Sequence, residues 1–226
     1  MKSPPVLGIV HTSFALVELL NNLVKAQLPG VQVVNVVDDT LLSYARERGV
    51  DDALRRRMRN YFNSAADAGA QVILNACSSV GETVDTARDQ VPVPILKIDE
   101  AMAAKAVRAG RRIAVLATVA STLGPTGRLL RKQAEAAGRQ IEIDEVLCEG
   151  AFDLLLAGKT DEHDRRVKEA VMKAAQGHEV LVFAQASMSR LVPSLAGQLQ
   201  VPLLASPEPA MARLREIFQE LGAKAS

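Results

Sequence analysis

Two cysteines, Cys77 and Cys148, are the thiols of this 226-residue chain, and they sit in unlike settings. Cys77 stands in Asn75-Ala76-Cys77-Ser78-Ser79, directly after the apolar segment Gln71–Asn75, which has the length and composition of a buried strand. A thiol on a strand-to-helix loop meets the N-terminal dipole of the helix, which favours its thiolate form and suits it to acid/base work. A free cysteine is otherwise a small buried hydrophobe. The position of Cys77 just past a strand, with the hydroxyls of Ser78 and Ser79 beside it, favours chemistry. Cys148 follows an alternating strand, lacks that setting and reads as structural.

Three further loops follow strand-like runs and share the same small, hydroxyl-rich character. They are His11-Thr12-Ser13, Thr118 with Ser121 and Thr122, and Gln185-Ala186-Ser187. Such loops offer backbone N–H and side-chain O–H groups to an anion, so a small carboxylic acid is the implied ligand. His11 titrates nearest neutral pH and has two equal readings, as a base or orienting group and as a satisfied structural histidine. His163 and His178 fall in polar helical context and read as surface residues. No His, Asp or Cys set has metal-ligand spacing. No Gly-x-Gly-x-x-Gly, P-loop or Gly-x-Ser-x-Gly motif is present, so neither a metal nor an organic cofactor is implied.

The elements that must position these loops alternate along the chain. Strands are expected at Val6–Val10, Val31–Val37, Gln71–Asn75 and Val93–Ile98, with helices at Ala15–Leu28, Asp51–Ala68 and Gly81–Asp89. After a helix at Ala101–Ala109 the pattern restarts. Strands follow at Arg112–Ala117, Gln140–Val146 and Glu179–Phe183, with helices at Pro125–Ala137 and Glu162–Gln176. A final helix, Glu208–Leu221, carries an apolar stripe that reads as core or interface.

Residues 71–96 lie over residues 179–204 without a gap at an offset of 108, with eight identities, among them Val93-Pro94 over Val201-Pro202. Duplication explains this better than chance. The expected fold class is therefore α/β: two pseudo-symmetric half-domains, each a parallel sheet flanked by helices, with the active site in the cleft between them at the carboxyl ends of the strands. The expected boundaries are residues 1–100 with 208–226 for the N-terminal lobe, and 101–207 for the C-terminal lobe.

Composition narrows the function. With 48% hydrophobic residues the chain can build a sizeable core, and with 3% aromatics that core is aliphatic. Twenty-seven Lys and Arg balance 26 Asp and Glu, so no summed field recruits nucleic acid or anionic lipid. The run Arg55-Arg56-Arg57-Met58-Arg59 fits a solvated helix face. The first apolar run is too short for a signal-peptide core or a membrane span, which leads to the expectation of a cytoplasmic protein with reduced thiols.

Three segments, Leu74-Asn75-Ala76-Cys77-Ser78-Ser79, Phe183-Ala184-Gln185-Ala186-Ser187-Met188 and Ala117-Thr118-Val119-Ala120-Ser121-Thr122, resemble the aspartate/glutamate/hydantoin racemase superfamily, and the likeness spans essentially the whole chain. The resemblance implies a cofactor-independent isomerase, assembled as a homodimer or higher homo-oligomer. In that family one cysteine from each lobe flanks a bound carboxylate or hydantoin; one thiolate removes the α-proton and the other thiol returns a proton from the far side. By resemblance the first cysteine is Cys77, and Ser78, Ser79, Thr118, Ser121 and Thr122 take carboxylate-binding positions.

The second cysteine does not carry over, because Gln185 stands there and an amide is no general base. The superfamily's arylmalonate decarboxylases retain a single thiol, and Gln185 could then donate to a developing enolate. Three readings stay open: a racemase using Cys77 with a non-thiol partner such as His11, a lyase using Cys77 alone, and a carboxylate-binding protein without turnover.

Overall fold

The computed structural model describes residues 4–224. In chain order the elements are β1 (Val6–His11), α1 (Val17–Gln27), β2 (Gln32–Val37), α2 (Thr40–Arg48), α3 (Asp52–Asp67), β3 (Val72–Asn75), α4 (Glu82–Ala87), β4 (Ile95–Lys97), α5 (Glu100–Ala109), β5 (Arg112–Ala117), α6 (Leu123–Ala136), β6 (Glu142–Leu147), α7 (Ala151–Leu156), α8 (Thr160–Ala174), β7 (Val180–Phe183), α9 (Val192–Leu195), β8 (Leu203–Leu204) and α10 (Pro207–Lys224). The chain divides into two compact units, Met1–Ile98 with Pro207–Ser226, and Asp99–Ser206.

The first unit is a parallel four-stranded sheet in the order β2-β1-β3-β4. Its central strands are buried along nearly their whole length, as a parallel sheet covered on both faces requires. On one face α3 sets Leu54, Met58 and Phe62 against Val10, Ile73 and Ile95. Asp51 starts α3, its carboxylate accepting from Leu54 N at 2.8 Å. The approach is close at Gly8, where a Cβ would lie 2.9 Å from Ala65 Cβ and 3.0 Å from Ala70 Cβ. Elsewhere in the unit α1, with buried Leu20 and Val24, packs with α10, which buries Met211 and Leu214. Arg215 ties the two together, donating from Nη2 to the Gln27 carbonyl at 3.0 Å.

The second unit repeats the plan with the order β6-β5-β7-β8, again all parallel. The period of two along β5 divides its side chains between two cores. Ile113 and Val115 join Met102, Val107 and Leu130, whereas Ala114 and Leu116 join Val167, Val171 and Phe183. Two four-stranded parallel sheets flanked by helices are thus the α/β architecture expected.

The structure adds three helices absent from the sequence reading, α2, α7 and the four-residue α9, and it shortens the expected helix 81–89 to α4 followed by a 3-10 turn at Arg88–Gln90. Only Leu41 of α2 is fully buried, so its apolar periodicity is weak. Among the described residues no helix is long and apolar enough to cross a membrane.

Candidate active site

In the first unit two sequence-predicted loops leave the carboxyl ends of β1 and β3. His11 is 1% exposed. Its Nε2 lies 2.9 Å from Asn35 Oδ1, while Asn35 Nδ2 donates to Asn21 Oδ1 at 3.2 Å. Because the Asn35 amide turns its N–H to Asn21, its oxygen faces His11, and Nε2 is the protonated nitrogen of the ring. The lone pair is then on Nδ1, which is buried and accepts no hydrogen bond among the described residues. Burial lowers the His11 pKa below its usual 6.5, with the Asn35 hydrogen bond opposing, so the ring is neutral at physiological pH. Thr12 is buried beside it, and Ser13 Oγ caps the one-turn 3-10 helix Phe14–Leu16 by accepting from Ala15 N at 3.2 Å.

Cys77, Ser78 and Ser79 are half-buried where β3 ends, and the Cys77 side chain packs against the α3-facing core. Asn75 Nδ2 donates to the Cys77 carbonyl at 3.0 Å, pinning the loop to the strand it leaves. A single 3-10 turn, Ser78–Val80, precedes the helix expected from Gly81, which is α4 and has six residues. A macrodipole sums over aligned peptides, so with six residues α4 offers Cys77 a weaker dipole than a full-length helix would. Cys148, by contrast, is 2% exposed, and burial pushes its thiol up to about 11. It is a protonated core residue, as the sequence suggested.

In the second unit Gln185 occupies the place that Cys77 occupies in the first. Both begin a 3-10 turn after a four-residue strand, and their backbone angles match, φ −136° and ψ 120° for Cys77 against φ −122° and ψ 128° for Gln185. Gln185 Oε1 accepts three hydrogen bonds, from Thr118 N at 2.7 Å, Thr118 Oγ1 at 3.0 Å and Val119 N at 3.2 Å. Convergence of two backbone N–H donors identifies that atom as the oxygen and turns the amide nitrogen away from them. The donors assigned from sequence to a bound carboxylate at Thr118 are therefore already engaged by Gln185. Thr122 Oγ1 donates to the Val119 carbonyl at 2.8 Å, Ser121 and Ser187 are exposed, and Ala186 is buried.

Two histidine assignments need correction. His163 is 3% exposed rather than a surface residue, because α8 turns it inward where its Nδ1 meets Asp164 Oδ1 at 2.8 Å. Asp164 in turn holds Arg190 through both carboxylate oxygens, at 2.6 and 2.5 Å, which anchors the Gln185 turn to α8. The Arg190 hydrogen bond is the main influence lowering the Asp164 pKa. His178 is half-buried, bonded to the Ala174 carbonyl and to Asp144 Oδ2, both at 2.7 Å.

The site also contains a residue that sequence reasoning passed over. Lys97 ends β4, is 4% exposed, and pairs with Asp85 Oδ2 of α4 at 2.8 Å. A lysine inside the apolar run Val93–Ile98 was the available signal.

A family model described as Asp/Glu/Hydantoin racemase matches residues 6–214. Among solved structures the chain is similar to the allantoin racemase from Klebsiella pneumoniae, with 18% identity, 96% of this chain and 89% of that one covered, and a TM-score of 0.71. It is similar to the glutamate racemase from Francisella tularensis subsp. tularensis SCHU S4 in complex with D-glutamate, with 15% identity, coverage of 98% and 83%, and a TM-score of 0.73. It is also similar to the Picrophilus torridus aspartate racemase, with 13% identity, coverage of 94% and 93%, and a TM-score of 0.71. At these identities the structural likeness is one of fold. The comparison with curated proteins finds no match.

Proposed function

Because the chain belongs to the Asp/Glu/Hydantoin racemase family, we propose that it is a cofactor-independent isomerase that moves the α-proton of a small carboxylate, an amino acid or a hydantoin-like acid, with Cys77 as its acid/base thiol. The observation that carries this reading is the contrast between the cysteines. Cys77 is half-buried on a loop at the carboxyl end of a central strand, where open parallel sheets bind ligands, and Cys148 is sealed in the core.

In the proposed reaction the Cys77 thiolate takes the α-proton and becomes a thiol, and the electron pair of the broken C–H bond passes into an enolate of the substrate carboxylate. A proton returned to the opposite face completes inversion. Gln185 cannot return it, since an amide N–H is far too weak an acid, and the amide far too weak a base, for general acid/base work. His11, neutral and at the end of β1, is the candidate second base. For one enantiomer its Nδ1 lone pair takes the α-proton, giving imidazolium, while the Cys77 S–H protonates the opposite face. For the other enantiomer the Cys77 thiolate takes the proton and His11, then held as imidazolium, returns one. Ser78, Ser79 and the loops of Thr12, Ser13, Ser121, Thr122, Ala186 and Ser187 are assigned to binding.

Gln185 also supports a second reading. With a single thiol the same chemistry runs as a decarboxylation: the C–C bond to a carboxylate breaks, CO2 leaves, and the Cys77 S–H protonates the resulting enolate from one face. The Gln185 amide N–H, directed away from Thr118, would then be free to donate to the enolate oxygen.

Incubating the protein in D2O with amino acids, hydantoins and malonates, followed by NMR and chiral chromatography, separates these readings. Deuterium at the α-carbon with loss of optical purity is the expected result. Release of CO2 with a deuterated product would establish the lyase instead, and binding with neither outcome would refute both.

A further inference from the structure

The duplication provides an internal control on the polar residues around Cys77. At the offset of 108, Cys77 corresponds to Gln185, Asn75 to Phe183, Asp85 to Pro193 and Lys97 to Ala205. The strand, 3-10 turn and short helix are built in both units. The second builds them with a phenylalanine, a proline and an alanine, where the first has an amide, a carboxylate and an ammonium. The fold of this segment therefore does not require the polar set. Replacing a buried ion pair with apolar groups is commonly neutral or stabilising, so the pair in the thiol-bearing unit calls for another reason.

Its geometry supplies one. Lys97 is the register partner of Asn75 on adjacent parallel strands, so both side chains leave the same face of the sheet. The lysine stem runs beside the end of the Cys77 turn, its Cδ 3.7 Å from the Cβ position of Gly81, the residue that closes the turn. The two charges are unequally wetted, with 5% of the Lys97 side chain exposed against 30% for Asp85. Water screens the carboxylate more than the ammonium, so the positive end dominates on the protein side. Beside them Asn75 Oδ1 is buried and accepts no hydrogen bond among the described residues.

We propose that Lys97, held by Asp85 against the Cys77 turn, is the positive charge a small carboxylate meets on reaching Cys77, and so a specificity-determining residue confined to the thiol-bearing unit. This rests on the reading of Cys77 as the reactive thiol and extends it to the recognition of the substrate's charge.

Alkylation of the two cysteines in the intact protein, followed by mass spectrometry, tests the proposal without a known substrate. Iodoacetate and iodoacetamide both react with the thiolate, so the ratio of their rates at one cysteine is independent of thiolate fraction and reports the local preference for a carboxylate. At Cys77 that ratio is expected to exceed the value for free cysteine by about fivefold, a modest local attraction. Lys97→Met should return it to the free value, Lys97→Arg should restore most of it, and Asp85→Asn should raise it. Cys148 monitors the fold, since its labelling rises if a variant loosens the core.

A wild-type ratio equal to that of free cysteine would overturn the proposal, as would an unchanged ratio in Lys97→Met or, should that variant loosen, in Asp85→Asn. If the ratio is flat while α-proton exchange persists, the lysine proposal alone falls. If neither reagent reaches Cys77, the thiol assignment falls with it.

Discussion

At Gln185 a single side-chain oxygen accepts from Thr118 N, Thr118 Oγ1 and Val119 N, so substitution there separates two properties. Gln185→Glu keeps an acceptor, now charged and stronger, but has no N–H to offer. Gln185→Ala removes both. If Gln185 serves only to pin the Thr118 loop, the glutamate variant should retain turnover and melt at or above the wild-type temperature, while the alanine variant loses stability. If its N–H assists the enolate, turnover should fall by about 10²-fold in both variants. Gln185→Cys would place a thiol at the position in the second unit that Cys77 holds in the first, yet it would also leave the Thr118 and Val119 donors without their acceptor, at a cost of about 1–3 kcal/mol. A gain in racemisation by this variant should therefore come with a lower melting temperature, measurable by calorimetry. None of this was legible in the sequence, which marks residue 185 as a departure from a cysteine pattern but not where an amide oxygen will point.

At the scale of elements, the loop after β2 is organised by Asp38. Burial opposes ionisation of this carboxyl, but hydrogen bonds from Thr40 Oγ1, Tyr61 OH, Thr40 N and Arg57 outweigh it and bring its pKa to about 2. An unfolded aspartate titrates near ~3.9, so as pH falls the unfolded chain takes up the proton first. The stability Asp38 contributes is thus fully present above about pH 4 and is lost as pH falls toward about 2. Thermal melts of the wild type and Asp38→Asn should differ at neutral pH and converge in that acid window; a pH-independent difference would mean the carboxylate charge is not what holds the loop. On β1, Gly8→Ala should destabilise the protein by about 1–3 kcal/mol in a denaturant titration, because its Cβ would enter the contact with Ala65 and Ala70. The strands and long helices were legible because their apolar periodicities are strong. Helix α2 was not, since it buries Leu41 and otherwise presents half-buried and exposed residues, and 3-10 turns such as Ser78–Val80 leave no period to read.

For the whole molecule, the internal repeat was the most informative sequence feature, and the structure extends it. The offset of 108 that aligns β3 with β7 becomes 106 for the first strands, which start at Val6 and Arg112, so the copies differ by small insertions between elements rather than in their plan. Family membership, the two parallel sheets and the contrast between Cys77 and Cys148 all follow from patterns visible in the residues. The chemistry around Cys77 was harder to see, because Lys97 and Asp85 lie twelve residues apart and meet only when β4 pairs with β3 and α4 folds across. Both the isomerase and the lyase reading make Cys77 the group that exchanges a proton with carbon, and solvent deuterium reports that step directly. With a substrate found in the D2O panel, wild type and Cys148→Ala should incorporate deuterium at the α-carbon at similar rates, and Cys77→Ala, with an unchanged melting profile, should be slower by about 10²–10⁴-fold. Undiminished incorporation by Cys77→Ala would contradict the account.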